Sequence, residues 1–253
     1  MNDSDDNPRS SGSNAFATTR WSMVIAAGHR SNPAADVALA ALCEEYWTPL
    51  YAFARRRGYS AADAADVTQG FFTCLLEKDY LECADPERGR FRSFLLTAFK
   101  RFLSKERGHD NALKRGGGIT IRSLDADLAE SQYAFEPVDD RTPERLFERR
   151  WAITMLDRVL QRLEQEYCEK GKTEFFALCR SSLTGIGMEQ HYSSIAVSCG
   201  MTEAAVKVAV HRMRARYREL LRAEVAQTVA SDADVDDELR ALFDAVRPSH
   251  GTL

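Results

Sequence analysis

The chain has 253 residues, 34 Lys+Arg against 38 Asp+Glu, a net charge of −4, and 44% hydrophobic residues. These values are ordinary for a globular protein and exclude collagen-like and wholly disordered chains. The length allows one large domain or two smaller ones. No apolar run approaches the ~18 residues of a membrane helix, so we expect no membrane insertion.

The start of the chain is rich in Ser, Asn and Asp, and residues 1–19 are predicted to be a disordered tail. It has neither the basic segment nor the apolar core of a secretory leader, so we expect a cytoplasmic protein with reduced cysteines. The cysteines include no C-x-x-C pair, and no H-E-x-x-H, G-x-S-x-G or Walker-type motif occurs. We therefore expect no catalytic residues, no metal and no cofactor.

Apolar residues at helical spacing predict the first helix, although Pro49 complicates its geometry. They are Leu39, Leu42, Tyr46 and Leu50. The basic run that ends in Gly58 is typical of a helix terminus. Ser60 is the predicted N-cap of the next helix, which carries two acids on its polar face.

A helix that begins near Phe91, after a turn at residues 85–89, has the clearest period in the chain. Its apolar residues form one unbroken stripe and are predicted to be core. They are Phe91, Phe94, Leu95, Ala98, Phe99, Phe102 and Leu103. Basic residues lie off this stripe, and they are the better candidates for ligand contacts.

Charge is segregated along the chain. Residues 87–115 carry nine basic and three acidic residues, a balance of +6, and residues 204–222 have a balance of +5. Residues 123–148 and 230–244 have balances of −6 and −5. Two basic islands on separate helical units indicate two contacts with one polyanion. The slightly negative total therefore hides two candidate nucleic-acid surfaces.

Residues 108–145 contain the best domain boundary. They hold a glycine run at residues 116–118, two prolines and most of an acidic excess, so we predict a flexible acidic linker. Further apolar helical patterns follow it, and no β-alternation of useful length occurs. The predicted fold class is all-α, with two small helical domains joined by this linker.

The sharpest local signal lies at residues 192–221. A short helix would end at Gly200, which can take the left-handed conformation of a tight turn. Thr202 is the predicted cap of a longer helix, and Glu203 suits the positive end of its dipole. This spacing is that of a helix-turn-helix, whose second helix enters the DNA major groove. Its predicted cationic stripe comprises Lys207, His211, Arg214 and Arg218.

The order and spacing of these features resemble an extracytoplasmic-function (ECF) sigma factor of the sigma-70 superfamily. The similarity covers roughly residues 38–223 in two blocks. The first block is carried by residues 42–54, 61–72 and 89–103, and the second by residues 150–223 with the helix-turn-helix. The resemblance implies a protein that joins core RNA polymerase, recognises −35 and −10 promoter elements and starts transcription, with no chemistry of its own.

The resemblance also implies roles for residues of the first block. The family's acidic stretch that docks on the polymerase clamp helices matches Asp63, Asp66 and Gln69, while Gly70 replaces a common Glu. The segment around residues 91–107 matches the element that recognises and opens the −10 sequence. The implied −10 contacts are Arg92, Lys100, Arg101, Lys105 and Arg107.

The second block resembles the region that binds the −35 element. The implied contacts are Thr202, Glu203, Lys207, His211, Arg212, Arg214 and Arg218. The linker would match the acidic strap that passes near the polymerase active cleft. Expected partners are core RNA polymerase, through its clamp helices and flap, promoter DNA and, as a further candidate, an anti-sigma factor.

The domain division that follows has five parts. They are a tail at 1–19, a docking and −10 domain at 20–107, the linker at 108–145, a helix-turn-helix domain at 146–225 and an acidic C-terminal extension at 226–253. The extension lies outside the two similar blocks. We predict in it a short helix with Val235, Leu239 and Phe243 on one face. Its charge favours folding back on a basic surface, which would moderate DNA binding.

Three other functions stay open from the residues alone. A helix-turn-helix regulator that acts without polymerase would explain residues 192–221 but leave 61–107 without a role. A metal-dependent nuclease using Asp63, Asp66 and Glu77 lacks a convincing ligand set. A helical interaction protein with no nucleic-acid role would use the basic faces only as solvated surface.

Overall fold

The computed structural model of the protein describes residues 33–77, 90–110, 129–131, 133, 142–184, 192–229 and 231–247. The predicted tail, the turn at 85–89 and the glycine run at 116–118 lie outside these residues. Helices are the regular structure throughout the described ranges, which contain no strand, so the predicted all-α class is confirmed. The helices are α1 Pro33–Arg56, α2 Ala61–Glu77, α3 Phe91–Asp110, α4 Pro143–Glu169, α5 Thr173–Cys179, α6 Ser181–Thr184, α7 Tyr192–Ser198, α8 Glu203–Ala226 and α9 Val235–Val246.

The corner between α1 and α2 follows the sequence prediction. Helix α1 continues through Pro49 and ends at Arg56, and Gly58 then adopts φ +90°, a conformation that glycine takes without steric cost. Ser60 caps α2, because its Oγ accepts a hydrogen bond from the Asp63 amide at 3.1 Å. The cap reverses the chain and lays α2 back against α1.

Helices α1, α2 and α3 share an aromatic core. Phe99 of α3 is fully buried, and its ring makes edge contacts with Phe53 of α1 at 6.0 Å and Phe71 of α2 at 5.0 Å between centroids. The predicted stripe of α3 is confirmed as core, with Phe94 and Phe102 half-buried and the other members buried. The aromatic side chains of this stripe are therefore occupied in packing.

Helix α4 packs against α1, from the beginning of the described chain, and against α8 and α9, from its end. Thr142 caps it by accepting a hydrogen bond from the Arg145 amide, and Pro143 takes the first helical position, where its missing N–H costs nothing. The helix packs on α1, α9, α8 and α5. Arg158 joins these neighbours, since its guanidinium lies 3.1 Å from Glu45 of α1 and 3.8 Å from Glu224 of α8. Buried residues of all these helices belong to one connected core.

Residues 129–131 of the predicted linker are helical, and Glu130 is bonded to α1. Ala129 is buried, and the Glu130 carboxylate accepts two hydrogen bonds from Arg55 at 2.9 Å and another from the Tyr51 hydroxyl. Burial alone would raise the pKa of Glu130, but the hydrogen bonds from Arg55 and Tyr51 outweigh it and lower that pKa. At this point the acidic segment has a fixed partner within the chain.

The C-terminal extension folds back on the rest of the protein. Helix α9 packs on α4, and it buries Val235, Glu238 and Leu242. The prediction of which residues form the buried face of this helix is therefore partly wrong. Phe243 is 46% exposed, and the Glu238 carboxylate lies at the centre of the buried face. Glu238 is buried because Arg92 of α3 lies opposite it, and the spacing of apolar residues in α9 gives no sign of that partner.

Candidate nucleic-acid interface

Helices α7 and α8 meet at a tight turn. Their axes are bent by 101° at this break, Gly200 has φ +62°, and the Met201 amide donates to the Ala196 carbonyl at 2.8 Å. Ala196 is buried at this crossing. An angle near 90–120° across a short glycine-containing turn is the geometry of a helix-turn-helix.

The first turn of α8 satisfies its own backbone. The Thr202 side chain accepts a hydrogen bond from the Ala205 amide at 3.2 Å. Glu203 lies in the first turn and forms an ion pair with Lys207 at 2.7 Å. Both predicted −35 residues at this end therefore have structural partners, and both side chains are exposed.

Helix α8 has one buried and one cationic face. Val206, Val210 and Met213 are buried, whereas the predicted cationic stripe is exposed. At 3.6 residues per turn, Lys207, His211, Arg214 and Arg218 lie on one side of the helix. Within this stripe, Arg214 donates a hydrogen bond to the Ser182 carbonyl of α6 at 3.2 Å. The contact fixes the arginine beside α6.

Arg212 lies apart from this stripe. It borders an open groove of about 780 Å³ between α8 and the α4–α5 corner, which Tyr167 and Phe175 also line. Its side chain is exposed, but it points to a different side of α8 from Lys207. Of the five basic residues of α8 predicted to contact DNA, four therefore share one side of the helix, and Arg212 lies on another.

The basic residues of α3 divide into three environments. Arg101 and Lys105 are exposed, whereas the Lys100 ammonium lies 2.6 Å from Glu144 at the start of α4. The Arg107 side chain lies outside the described residues. Arg92 is 4% exposed, so it does not lie on the surface in this arrangement.

Arg92 is enclosed by charged and aromatic groups. Its guanidinium lies 4.2 Å from the Trp151 ring centroid, and it forms ion pairs with Glu148 and with Glu238. Burial lowers the pKa of Arg92, and the Glu148 carboxylate opposes that shift. Sequence reasoning missed both acidic partners, which lie 56 and 146 residues away along the chain.

The acidic residues of α2 form a separate exposed surface. Asp63, Asp66 and Gln69 are exposed, and the opposite face buries Phe71 and its neighbours. Gly70, which departs from the family pattern, lies against α3, where an added Cβ would be 3.4 Å from the Phe102 ring. This distance is an ordinary van der Waals contact, so the packing of α2 on α3 leaves room for a Cβ at this position.

The described residues contain no group of three or more His, Cys, Asp or Glu side chains placed to hold a metal ion. Among the described helices, none is alone long and apolar enough to cross a membrane, and only the bent pair α7–α8 meets the length and composition requirement jointly.

A helix-turn-helix and a second cationic helix, in described residues that are helical and contain no strand, are typical of DNA-binding transcription proteins. The chain belongs to the ECF sigma factor family, because the family model described as "ECF sigma factor" matches residues 40–244. No curated protein and no solved structure matched it. The family assignment from the sequence is confirmed.

The family fixes the general role. The protein is an RNA polymerase sigma factor. Sigma factors are cytoplasmic, non-catalytic initiation factors, and ECF sigma factors act with core polymerase and promoter DNA, often under anti-sigma control. The match continues through most of α9 to residue 244. The family match thus includes α9, which the resemblance described from the sequence had left outside its two blocks.

Proposed function

We propose that this sigma factor binds core polymerase through α2 and recognises a promoter at two places, with α8 on the −35 element and α3 on the −10 element. The observation that carries the proposal is the presence of two exposed cationic helix faces and one exposed acidic face on a single chain. A regulator that only binds duplex DNA needs one of these surfaces. A promoter-specificity subunit needs all three.

The exposed stripe of α8 has the chemistry for major-groove recognition. Lys207, Arg214 and Arg218 can hold phosphates or donate to guanine O6 and N7, and His211 adds a further donor. The contact from Arg214 to the α6 backbone restricts one of these side chains before DNA arrives. Arg212, on another side of the helix, is better placed for the flanking backbone than for the same base pairs.

Helix α3 would contact DNA through cations and not through its aromatic stripe. The buried ring of Phe99 has no free surface for stacking bases. Arg101 and Lys105 lie on the exposed side and can neutralise phosphates of a strand that passes along the helix.

One experiment separates the candidate functions. The purified protein is added to core polymerase with a promoter library, and specific run-off transcripts are sequenced. Transcripts that require both the protein and core support the proposal. Binding to duplex DNA with no polymerase dependence would favour a helix-turn-helix regulator, and the absence of any DNA binding would favour a helical interaction protein.

The double variant Lys207→Ala and Arg214→Ala tests the −35 surface. We expect a loss of about 1–3 kcal/mol for each base-reading contact, since these cations face the groove in the proposed complex. Binding is measured on the promoter found in the transcription experiment. The control Arg162→Ala and Lys170→Ala removes two exposed cations from other elements. Equal losses in the two double variants would contradict the assignment.

The double variant Asp63→Arg and Asp66→Arg tests polymerase docking. We expect core polymerase to bind about tenfold or more weakly, because like charges placed across an interface repel. Circular dichroism should be unchanged, since both side chains are exposed. Affinity for core is measured beside the reversal Glu169→Arg and Asp244→Arg. Full retention of core binding by the α2 variant would exclude this docking surface.

A further inference from the structure

Helix α9 covers the beginning of α3. The Glu238 carboxylate is fully buried and forms ion pairs with Arg92 and with Arg90, whose Nε lies 2.8 Å away. The chain just before α9 also reaches this point, since the Phe91 amide donates to the Thr228 carbonyl at 3.4 Å. The two basic residues at the start of α3 are thus engaged by one C-terminal segment.

Three contacts hold α9 along its length. Its N-terminal turn is tied to α8 by the ion pair between Asp236 and Arg222, at 2.5 Å. Its last turn accepts a hydrogen bond at the Val246 carbonyl from Arg149 of α4, at 3.0 Å. Leu242 is buried between these ends. The helix therefore has a defined seat, with Glu238 near its centre.

The central contact between α9 and α3 is a buried ion pair and not an apolar contact. A buried ion pair contributes little more to stability than well-packed apolar side chains of similar volume, whereas losing one partner is costly. An arginine released from a carboxylate can take a phosphate instead, with similar hydrogen-bond geometry. A contact built on Arg92 and Glu238 can therefore be exchanged for nucleic acid, which an apolar contact cannot.

We propose that α9 is an intramolecular inhibitor that occupies the DNA-binding start of α3 and leaves when Arg90 and Arg92 take DNA phosphates. The inference rests on the proposed function in one respect, the assignment of α3 to promoter DNA. The acidic helix takes the place of the polyanion at Arg90 and Arg92, so the free protein carries the beginning of its −10 surface covered, while Arg101 and Lys105 stay exposed. The buried position of Arg92, which otherwise conflicts with its predicted role, is then the resting state of that role.

The test uses the full-length protein without polymerase. Glu238→Gln removes the buried charge but keeps the shape of the side chain. Asp237→Asn removes one charge from the adjacent, exposed position, whose ion pair is with Arg240 of the same helix. Hydrogen exchange of α9 reports its release, and a fluorescent forked DNA of random sequence reports binding. Because Asp237→Asn removes the same charge without unseating α9, it shows how much DNA affinity rises from the loss of one negative charge alone.

We expect Glu238→Gln to speed exchange in α9 and to raise apparent DNA affinity by roughly tenfold, as when the competent state rises from about a tenth to most of the molecules. Asp237→Asn should match the wild type within about twofold in both measurements. Faster exchange in Glu238→Gln with DNA affinity at the Asp237→Asn level would overturn the proposal. Unchanged exchange in α9 would also overturn it.

Leu242→Ala provides a second route to release, because it loosens α9 through packing and leaves the charges in place. If Glu238→Gln loses helical circular dichroism, Leu242→Ala tests the proposal in its place. We expect the same faster exchange in α9 and the same rise in DNA affinity, and the same results would overturn the proposal. Neither measurement needs core polymerase. Failure to transcribe with core therefore overturns the proposed function, while intact transcription with no effect of releasing α9 overturns only this inference.

Discussion

Replacing Arg92 with alanine is expected to lower the free energy of unfolding by about 1–3 kcal/mol, because it leaves the buried Glu238 carboxylate with Arg90 as its remaining cation. Glu238 is fully buried and Glu148 partly so, and both pair with this guanidinium. The Trp151 ring loses its cation contact as well. Denaturant unfolding followed by circular dichroism measures the change, with a common slope required for the comparison.

The control for this change is Arg101→Ala, which removes the same side chain from an exposed position of α3. It should alter stability by no more than about 0.5 kcal/mol. The double variant Arg92→Leu and Glu238→Leu should recover most of the loss, because an apolar pair fills the seat with no buried charge. A small effect of Arg92→Ala, equal to that of Arg101→Ala, would show that water or another cation compensates Glu238.

Phe99→Ala is the second change with a large expected effect, a loss of about 3–5 kcal/mol. Its ring is fully buried and meets Phe53 and Phe71 from two other helices, so the cavity would open at the junction of α1, α2 and α3. The rigid aromatic neighbours limit collapse into that space. The unfolding midpoint in denaturant should fall accordingly.

Phe243→Ala is the matched control for Phe99→Ala, because it deletes the same ring from a side chain that is 46% exposed. We expect a change within about 0.5 kcal/mol. If the two phenylalanines had equal effects, the arrangement of α3 in the core would be wrong, since the two sites differ in burial and not in chemistry.

Local patterns in the sequence were sufficient for much of the architecture. The seven apolar positions of α3, the cap at Ser60 and the turn at Gly200 all follow from rules that act over a few residues. The cationic stripe of α8 also follows from helical spacing, and the same arithmetic separates Arg212 from it. These features need no knowledge of distant parts of the chain.

The ion pairs between distant segments could not be predicted in this way. Arginine and glutamate are ordinarily exposed, so a periodic pattern assigns Arg92 and Glu238 to solvent. Their burial depends on the return of α9 to α3, and the pairing of Glu130 with Arg55 depends on the return of the linker to α1. The excess acid at residues 230–244 indicated a basic counterpart, but charge balance does not say which arginine it is.

The length and placement of α4 have a consequence for promoter architecture. The helix has 27 residues, about 40 Å at 1.5 Å per residue, and Arg158 joins it to Glu45 of α1 and Glu224 of α8. In this arrangement the distance between α3 and α8, the two helices proposed to contact DNA, is fixed. A promoter with a different spacer between its two elements would require α4 to leave α1 and expose the apolar faces of both. The range of spacer lengths that supports transcription would then report how firmly α4 is held on α1.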